Sequence, residues 1–132
     1  MRNSCNTIYL LNAKAANGAG NIIDVSDYDY VILQYGTTST TTATVKFQGS
    51  ISDDSPAFAS AQSVSNHWDY IDVIDLQSGS SIDGDTGIAV SGSSDFRNVQ
   101  INVDGLKWLC AIVSGYSGTG TVTVTGRGFT NN

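Results

Sequence analysis

A chain of 132 residues is one domain long, and its formal net charge of −6, from 12 acidic against six basic residues, sets it against phosphate-rich partners. No basic cluster restores nucleic-acid binding, and no run approaches the ~20 apolar residues that a membrane helix requires. All the acidic residues are Asp and none is Glu, Gly, Ser and Thr are plentiful, and the only Ala-rich window is broken by Asn17, Gly18 and Gly20, so the composition describes an all-β chain.

In chain order, residues 1–6 read as an N-terminal arm without the apolar core of a signal peptide, which predicts synthesis in the cytosol. Strands are expected over Thr7–Leu11, Asn21–Val25 and Tyr28–Tyr35; the third is apolar on both faces and so expected at the centre of a sheet. Thr42–Ile51 follows, with Val45, Phe47 and Ile51 inward, then a Pro-containing connection from Ser52 to Asn66. Trp68–Leu76 reads as one strand in which the apolar positions shift by one residue after Val73, as at a β-bulge. Gln77–Ser94 is rich in Gly, Ser and Asp around a weak strand at Gly87–Val90 and is expected to be a long exposed loop. Phe96–Val103 alternates cleanly, and Leu106–Val113 and Thr119–Gly128 complete the set. The expected fold is a single all-β domain over residues 1–132, a β-sandwich of about eight or nine antiparallel strands with jelly-roll connections, although hairpin grammar also permits immunoglobulin-like ones.

The chain also repeats itself. Val25-Ser26-Asp27-Tyr28 leads through a strand and a Thr-rich connection into Ala43-Thr44-Val45-Lys46-Phe47, and Val103-Asp104-Gly105-Leu106 leads the same way into Gly120-Thr121-Val122-Thr123-Val124. The copies lie 78 positions apart at Val25 and Val103 and 77 apart at Ala43 and Gly120. The repeat is expected to supply each sheet of the sandwich with an equivalent hairpin.

Candidate chemistry is sparse. His67 is the only histidine, so neither a catalytic triad nor a His-based metal cluster can be assembled, and no catalytic residue, metal site or cofactor is expected. Asp83-Gly84-Asp85 and Asp53-Asp54 place carboxylates in loops but lack the spacing and closing Glu of an EF-hand, so they read as turn formers. Asp69, Asp72 and Asp75 read as solvated charges that protect a strand edge. Cys5 and Cys110 have no metal or redox spacing; two buried free thiols are the ordinary reading, and a disulfide would need adjacent strands and an oxidising compartment. Trp108 reads as core or interface, whereas Trp68 and Tyr70 share a strand face and could stack a sugar ring.

The segment Val103-Asp104-Gly105-Leu106-Lys107-Trp108-Leu109, the turn at Ser114-Gly115-Tyr116-Ser117-Gly118 and the strand Gly120-Thr121-Val122-Thr123-Val124, with Asn98–Asn102 before them and Val25-Ser26-Asp27-Tyr28 near the start, resemble a pattern near the C-termini of small tailed-bacteriophage structural proteins. The matching segments cover about half the chain and consist mostly of β-hairpin grammar, so the resemblance carries over no functional residue. It implies a non-enzymatic virion component of the capsid decoration or cement type, with a jelly-roll or sandwich fold. Such a protein is expected to assemble as a homotrimer on the capsid exterior, binding the major capsid protein and stabilising the expanded shell after assembly in the bacterial cytoplasm, with no nucleic-acid or membrane partner. The expected assembly contacts lie in the arm and the two long connections, at Cys5, Pro56, Phe58, His67, Ser81, Ile82, Asp83 and Asp85. The alternative is a receptor- or glycan-binding module of a tail, neck or baseplate, using Trp68 and Tyr70.

Overall fold

The computed structural model describes residues 2–4, 7–93 and 95–131. Among them there is no helix, and every strand pairing is antiparallel. The strands are β1 (Arg2–Ser4), β2 (Ile8–Lys14), β3 (Gly18–Ala19), β4 (Ile23–Asp24), β5 (Tyr30–Thr37), β6 (Thr41–Ser50), β7 (Asp69–Tyr70), β8 (Val73–Asp75), β9 (Ser81–Ile82), β10 (Ile88–Gly92), β11 (Phe96–Asn102), β12 (Trp108–Ser117) and β13 (Val122–Asn131). A seven-stranded sheet runs β1-β13-β5-β11-β8-β9, with β2 beside β1 on the free edge of β13. A six-stranded sheet runs β10-β6-β12-β3, with β4 also on β12 and β7 also on β6.

The order of pairing decides between the connections that the sequence left open. β6 pairs with β10, β5 with β11, β3 and β4 with β12, and β2 with β13, a nested series that is one long antiparallel ribbon. The ribbon is rolled up by the β5·β13 and β6·β12 ladders, and this is a jelly roll. Its principal strands match the expected number; the short β1, β7, β8 and β9 lie outside the ribbon.

Period-two alternation explains the core. Val31, Leu33 and Tyr35 of β5, Val99 and Ile101 of β11 and Val122 and Val124 of β13 face Val45 and Phe47 of β6, Val90 of β10 and Leu109, Ala111 and Val113 of β12. β5 lies at the centre of its sheet, as its two apolar faces implied, and Tyr30 on its outer side stacks on Phe129 with ring centroids 5.3 Å apart.

The repeat is real, but each copy is a crossover and not a hairpin. β5 and β6 lie in opposite sheets, as do β12 and β13, and the two copies pair with each other reciprocally through the β5·β13 and β6·β12 ladders. The corners that open the copies are joined in the same reciprocal way. The Val25 N–H donates to the Lys107 carbonyl at 2.8 Å, and the Val103 N–H donates to the Asp29 carbonyl at 3.0 Å. Within each corner the Tyr28 or Leu106 N–H returns to the Val25 or Val103 carbonyl, and both valines are fully buried. The crossovers also touch: the Thr121 N–H donates to Thr38 Oγ1 at 2.9 Å, and a Cβ on Gly120 would fall 1.7 Å from the Thr38 carbonyl oxygen. Gly118 and Gly120 are therefore glycines of close backbone approach.

Three other expectations are corrected. β6 ends at Ser50, so Ile51 is 75% exposed and not inward. Trp68–Leu76 is not one bulged strand: β7 belongs to one sheet and β8 to the other, and the chain crosses between them at Ile71 and Asp72. Most of Gln77–Ser94 is ordered, with β9 extending one sheet and β10 forming the edge of the other and burying Ile88 and Val90; Ser94 lies outside the described residues.

The crossing also changes the role of Asp75. Its carboxylate is buried, accepts the Gln77 N–H at 3.0 Å and holds Arg97 Nη1 at 2.8 Å, so it is an internal partner and not an edge charge. The Gln77 N–H, aided by the Arg97 guanidinium, keeps the Asp75 carboxyl below its ordinary range. A group depressed in the folded state contributes stability above its unfolded pKa, about 3.9, and loses it as pH falls through the folded value. Denaturant midpoints should therefore fall on acidification below about pH 4, and the fall should be smaller in Asp75→Asn; an identical acid dependence in both proteins would reject this role.

Cys110 is a buried free thiol on β12 whose Sγ lies 3.7 Å from the Gly20 carbonyl, and burial pushes its pKa up to about 11. Native protein should leave Cys110 unmodified by iodoacetamide at neutral pH, and unfolding should expose it, as read by site-resolved mass mapping. Cys5 lies outside the described residues.

Candidate functional site

The connection over residues 52–67 folds onto the outer side of β6 and β7 and makes one wall of an open concavity. Asn66 is its internal staple: its Oδ1 accepts the Ala57 N–H at 2.8 Å, while its Nδ2 donates to the carbonyls of Ala57 at 3.0 Å and Ala61 at 2.9 Å. Two polar side chains of β6 tie this loop down. Gln48 Nε2 donates to the Phe58 carbonyl at 2.8 Å, and Ser50 Oγ donates to the His67 carbonyl at 2.6 Å. Phe58, 2% exposed, then fills the space above β6.

Trp68 is held from several directions. Its Nε1 donates to the Ser60 carbonyl at 3.1 Å, its ring is tilted against Phe58 at 6.4 Å, and Tyr70 meets it edge-on at 5.0 Å and 78°. Lys46 Nζ sits 4.8 Å from the Tyr70 ring centroid. The outcome is a rigid indole beside an open groove of about 680 Å3. Gly49, Ile71 and Leu106 line it toward the sandwich, and a Cβ on Gly49 would press on both Ile71 and Leu106 at 2.9 Å. Its other walls are Trp68 with His67 and Asp69, and Ile51 facing the 62–64 loop tip. Val64 at that tip is 91% exposed, the most open large apolar side chain among the described residues.

The residues predicted as contacts separate into distinct places. His67 and Trp68 line the groove; Tyr70 does not, and the perpendicular rings form no flat double platform for a sugar. Phe58 is interior and thus removed from the set of exposed contacts, and Pro56 is half-buried. Ser81, Asp83 and Asp85 are exposed and Ile82 is half-buried on the β9 side, where Gly84 packs on the Ile71 backbone and donates its N–H to Asp72 Oδ1 at 2.7 Å. Asp83 Oδ1 accepts the Asp85 N–H at 2.8 Å, the turn geometry expected of this Asp-Gly-Asp. Among the described residues no three His, Cys, Asp or Glu side chains converge as a metal site would need. Sequence reasoning missed Ile51 and Val64. The available signal was a single valine within Gln62-Ser63-Val64-Ser65-Asn66, an apolar residue in a polar loop that no strand pattern accounts for.

The groove favours apolar side chains over sugars. Beside polar side chains such as Gln62, Ser63, His67 and Asp69, it offers one aromatic face and four aliphatic side chains, Ile51, Val64, Ile71 and Leu106. Burying a sugar hydroxyl against them without a partner costs about 1–3 kcal/mol, whereas burying a Leu- or Phe-sized group gains about 1.5–3 kcal/mol.

Fold and groove together define a jelly-roll module with a groove at one end of the sandwich. Two solved structures share this fold. The SPBc2 prophage-derived protein YomS superposes with a TM-score of 0.67 at 12% identity, over 98% of this chain and 96% of that one. The PBSX exported protein XepA also gives 0.67, at 16% identity over 98% of this chain, but the match spans only 38% of XepA. At these identities the likeness is one of fold. The chain matches no protein-family model and no curated protein.

Proposed function

We propose that this chain is a non-enzymatic phage structural protein, a capsid decoration protein that binds across neighbouring major capsid subunits as a homotrimer and stabilises the expanded shell. The observation that carries the reading is the nearly end-to-end match with a protein described as prophage-derived, over 98% of this chain and 96% of that one. It joins the phage-like repeat, which the fold turns into two reciprocal crossovers. Binding only to the assembled shell stabilises it by mass action, and three linked copies add avidity. His67, the only histidine, is exposed and makes no side-chain hydrogen bond among the described residues, so no hydrogen-bond partner orients its ring.

A second reading, attachment at the tail, neck or baseplate to a receptor or glycan, is favoured by the indole of Trp68 at the groove. One experiment separates the two. Purified protein is mixed with particles that lack it, and the bound copies are located and counted by electron cryomicroscopy. Regular density at local three-fold positions of the shell, with increased resistance of the particles to heat, is the expected result. Density confined to the tail or neck would replace the first reading with the second, and no density on any particle would reject both.

A further inference from the structure

We propose that the groove beside Trp68 is a docking site for a protein segment that carries a bulky apolar side chain flanked by Lys or Arg. Shape and chemistry state the first half of the requirement. Ile51 and Val64 stand 75% and 91% exposed on its rim, and its inner surface is Gly49, Ile71 and Leu106, so an inserted apolar group would cover side chains that the monomer leaves in water. Phe58 and Tyr70 hold the indole of Trp68 in place, so little freedom is lost when a partner arrives.

Charge supplies the second half. Asp69 lines the groove, Asp53 and Asp54 follow directly on its wall at Ser52, and Asp104 precedes Leu106 by two residues; all four are exposed. Among the described residues, no Lys or Arg lines it. The basic side chains on the adjoining backbone are engaged elsewhere: Lys46 over Tyr70, and Lys107 at 3.6 Å from Asp24 Oδ2 and 5.1 Å from the centre of the Trp108 ring. A slot with aliphatic walls, one lining Asp and three exposed Asp one or two residues along the chain from its walls selects an apolar anchor with cationic neighbours. A second copy of this chain fits poorly, because it carries a net charge of −6 and its own exposed Ile51 and Val64 have the same acidic surroundings.

This inference deepens the reading of the chain as a binding component of the particle, and the two can fail separately. The probes are a short capped peptide alternating lysine with leucine and phenylalanine, a glutamate-for-lysine counterpart, a serine-for-apolar counterpart, and the neutral oligosaccharides maltohexaose and chitohexaose. Nuclear magnetic resonance of the labelled full chain reads the Trp68 indole N–H and the methyls of Ile51 and Val64. The lysine–apolar peptide should shift these signals and bind about tenfold more tightly than either peptide counterpart, with an affinity that falls as salt rises. The double variant Ile51→Ser/Val64→Ser should keep the melting temperature and lose about tenfold in affinity.

Equal binding of the lysine–serine peptide, shifts centred on Asp83 and Asp85, or a Trp68 response to an oligosaccharide alone would overturn the proposal. On particles, loss of attachment by the double variant alone supports both readings. Equal attachment of both proteins overturns the groove and leaves decoration standing, while peptide binding without particle attachment does the reverse.

Discussion

Phe47→Ala is expected to destabilise the protein by about 3–5 kcal/mol, the largest effect of any single truncation considered. Phe47 is 2% exposed in the middle of β6, where Ala111 is its cross-strand partner on β12 and can fill none of the space the ring would vacate. Its carbonyl also accepts the Ile71 N–H at 2.8 Å, at the point where the chain leaves β7 for the other sheet, so the surrounding backbone is pinned and collapse into the cavity is restricted. Domains of this kind are stable by only about 5–15 kcal/mol, so the loss would be a large fraction of the total. Urea unfolding followed by tryptophan fluorescence measures it, and a change below about 1 kcal/mol would mean that the two sheets are not packed across this ring.

Val25→Ala and Val103→Ala form the second test. Each valine is fully buried at a corner, and each corner donates its N–H to the residue that lies four beyond the opposite valine. Removing two buried carbons from such a site costs about 2–3 kcal/mol once the residual cavity is included. The prediction specific to this fold is equality: the two variants should agree within about 1 kcal/mol, because the repeat places them in equivalent surroundings. If one substitution were costly and the other silent, the corners would be alike in sequence only, and the reciprocal arrangement would carry no energetic meaning.

The part of the architecture that could be read in advance rested on local pattern. Alternation in Phe96–Val103 places Val99, Ile101 and Val103 inward, and the doubly apolar Tyr28–Tyr35 segment belongs at the centre of a sheet; both follow from the two-residue period of a strand. The repeat was likewise visible, yet its meaning was not. A strand, a Thr-rich connection and a second strand describe a hairpin and a crossover equally well, and the choice depends on which partner each strand finds 58 to 99 residues away. The same limit produced the error at Trp68–Leu76, where the chain changes sheets at Ile71 and Asp72, and where Ile74 and Leu76, which looked like a shifted apolar face, stand exposed.

The candidate site was legible in fragments. His67 and Trp68 could be singled out because histidine and tryptophan are rare in this chain, whereas Ile51 looked like a continuation of β6 and Val64 like an incidental loop residue. What joins them is the anchoring of the 52–67 connection by Gln48, Ser50 and Asn66, polar side chains whose hydrogen-bond partners are loop carbonyls in all three cases and, for Ser50 and Asn66, a loop N–H as well. No residue-type rule assigns such bonds before the loop and β6 are brought together.

By itself, then, the sequence determined the class of structure: short alternating strands, Asp and Gly at the turns, one core, an acidic surface and an internal repeat. These are set by backbone preferences and side-chain polarity, which act over a few residues. Only the tertiary structure decided that the repeated units exchange sheets, that Asp75 is an internal partner of Arg97, that Phe58 is buried, and that Ile51 and Val64 stand open beside a rigid indole. Each of these is a matter of which distant segments pack together, and packing energy belongs to the assembled surfaces rather than to any stretch of chain.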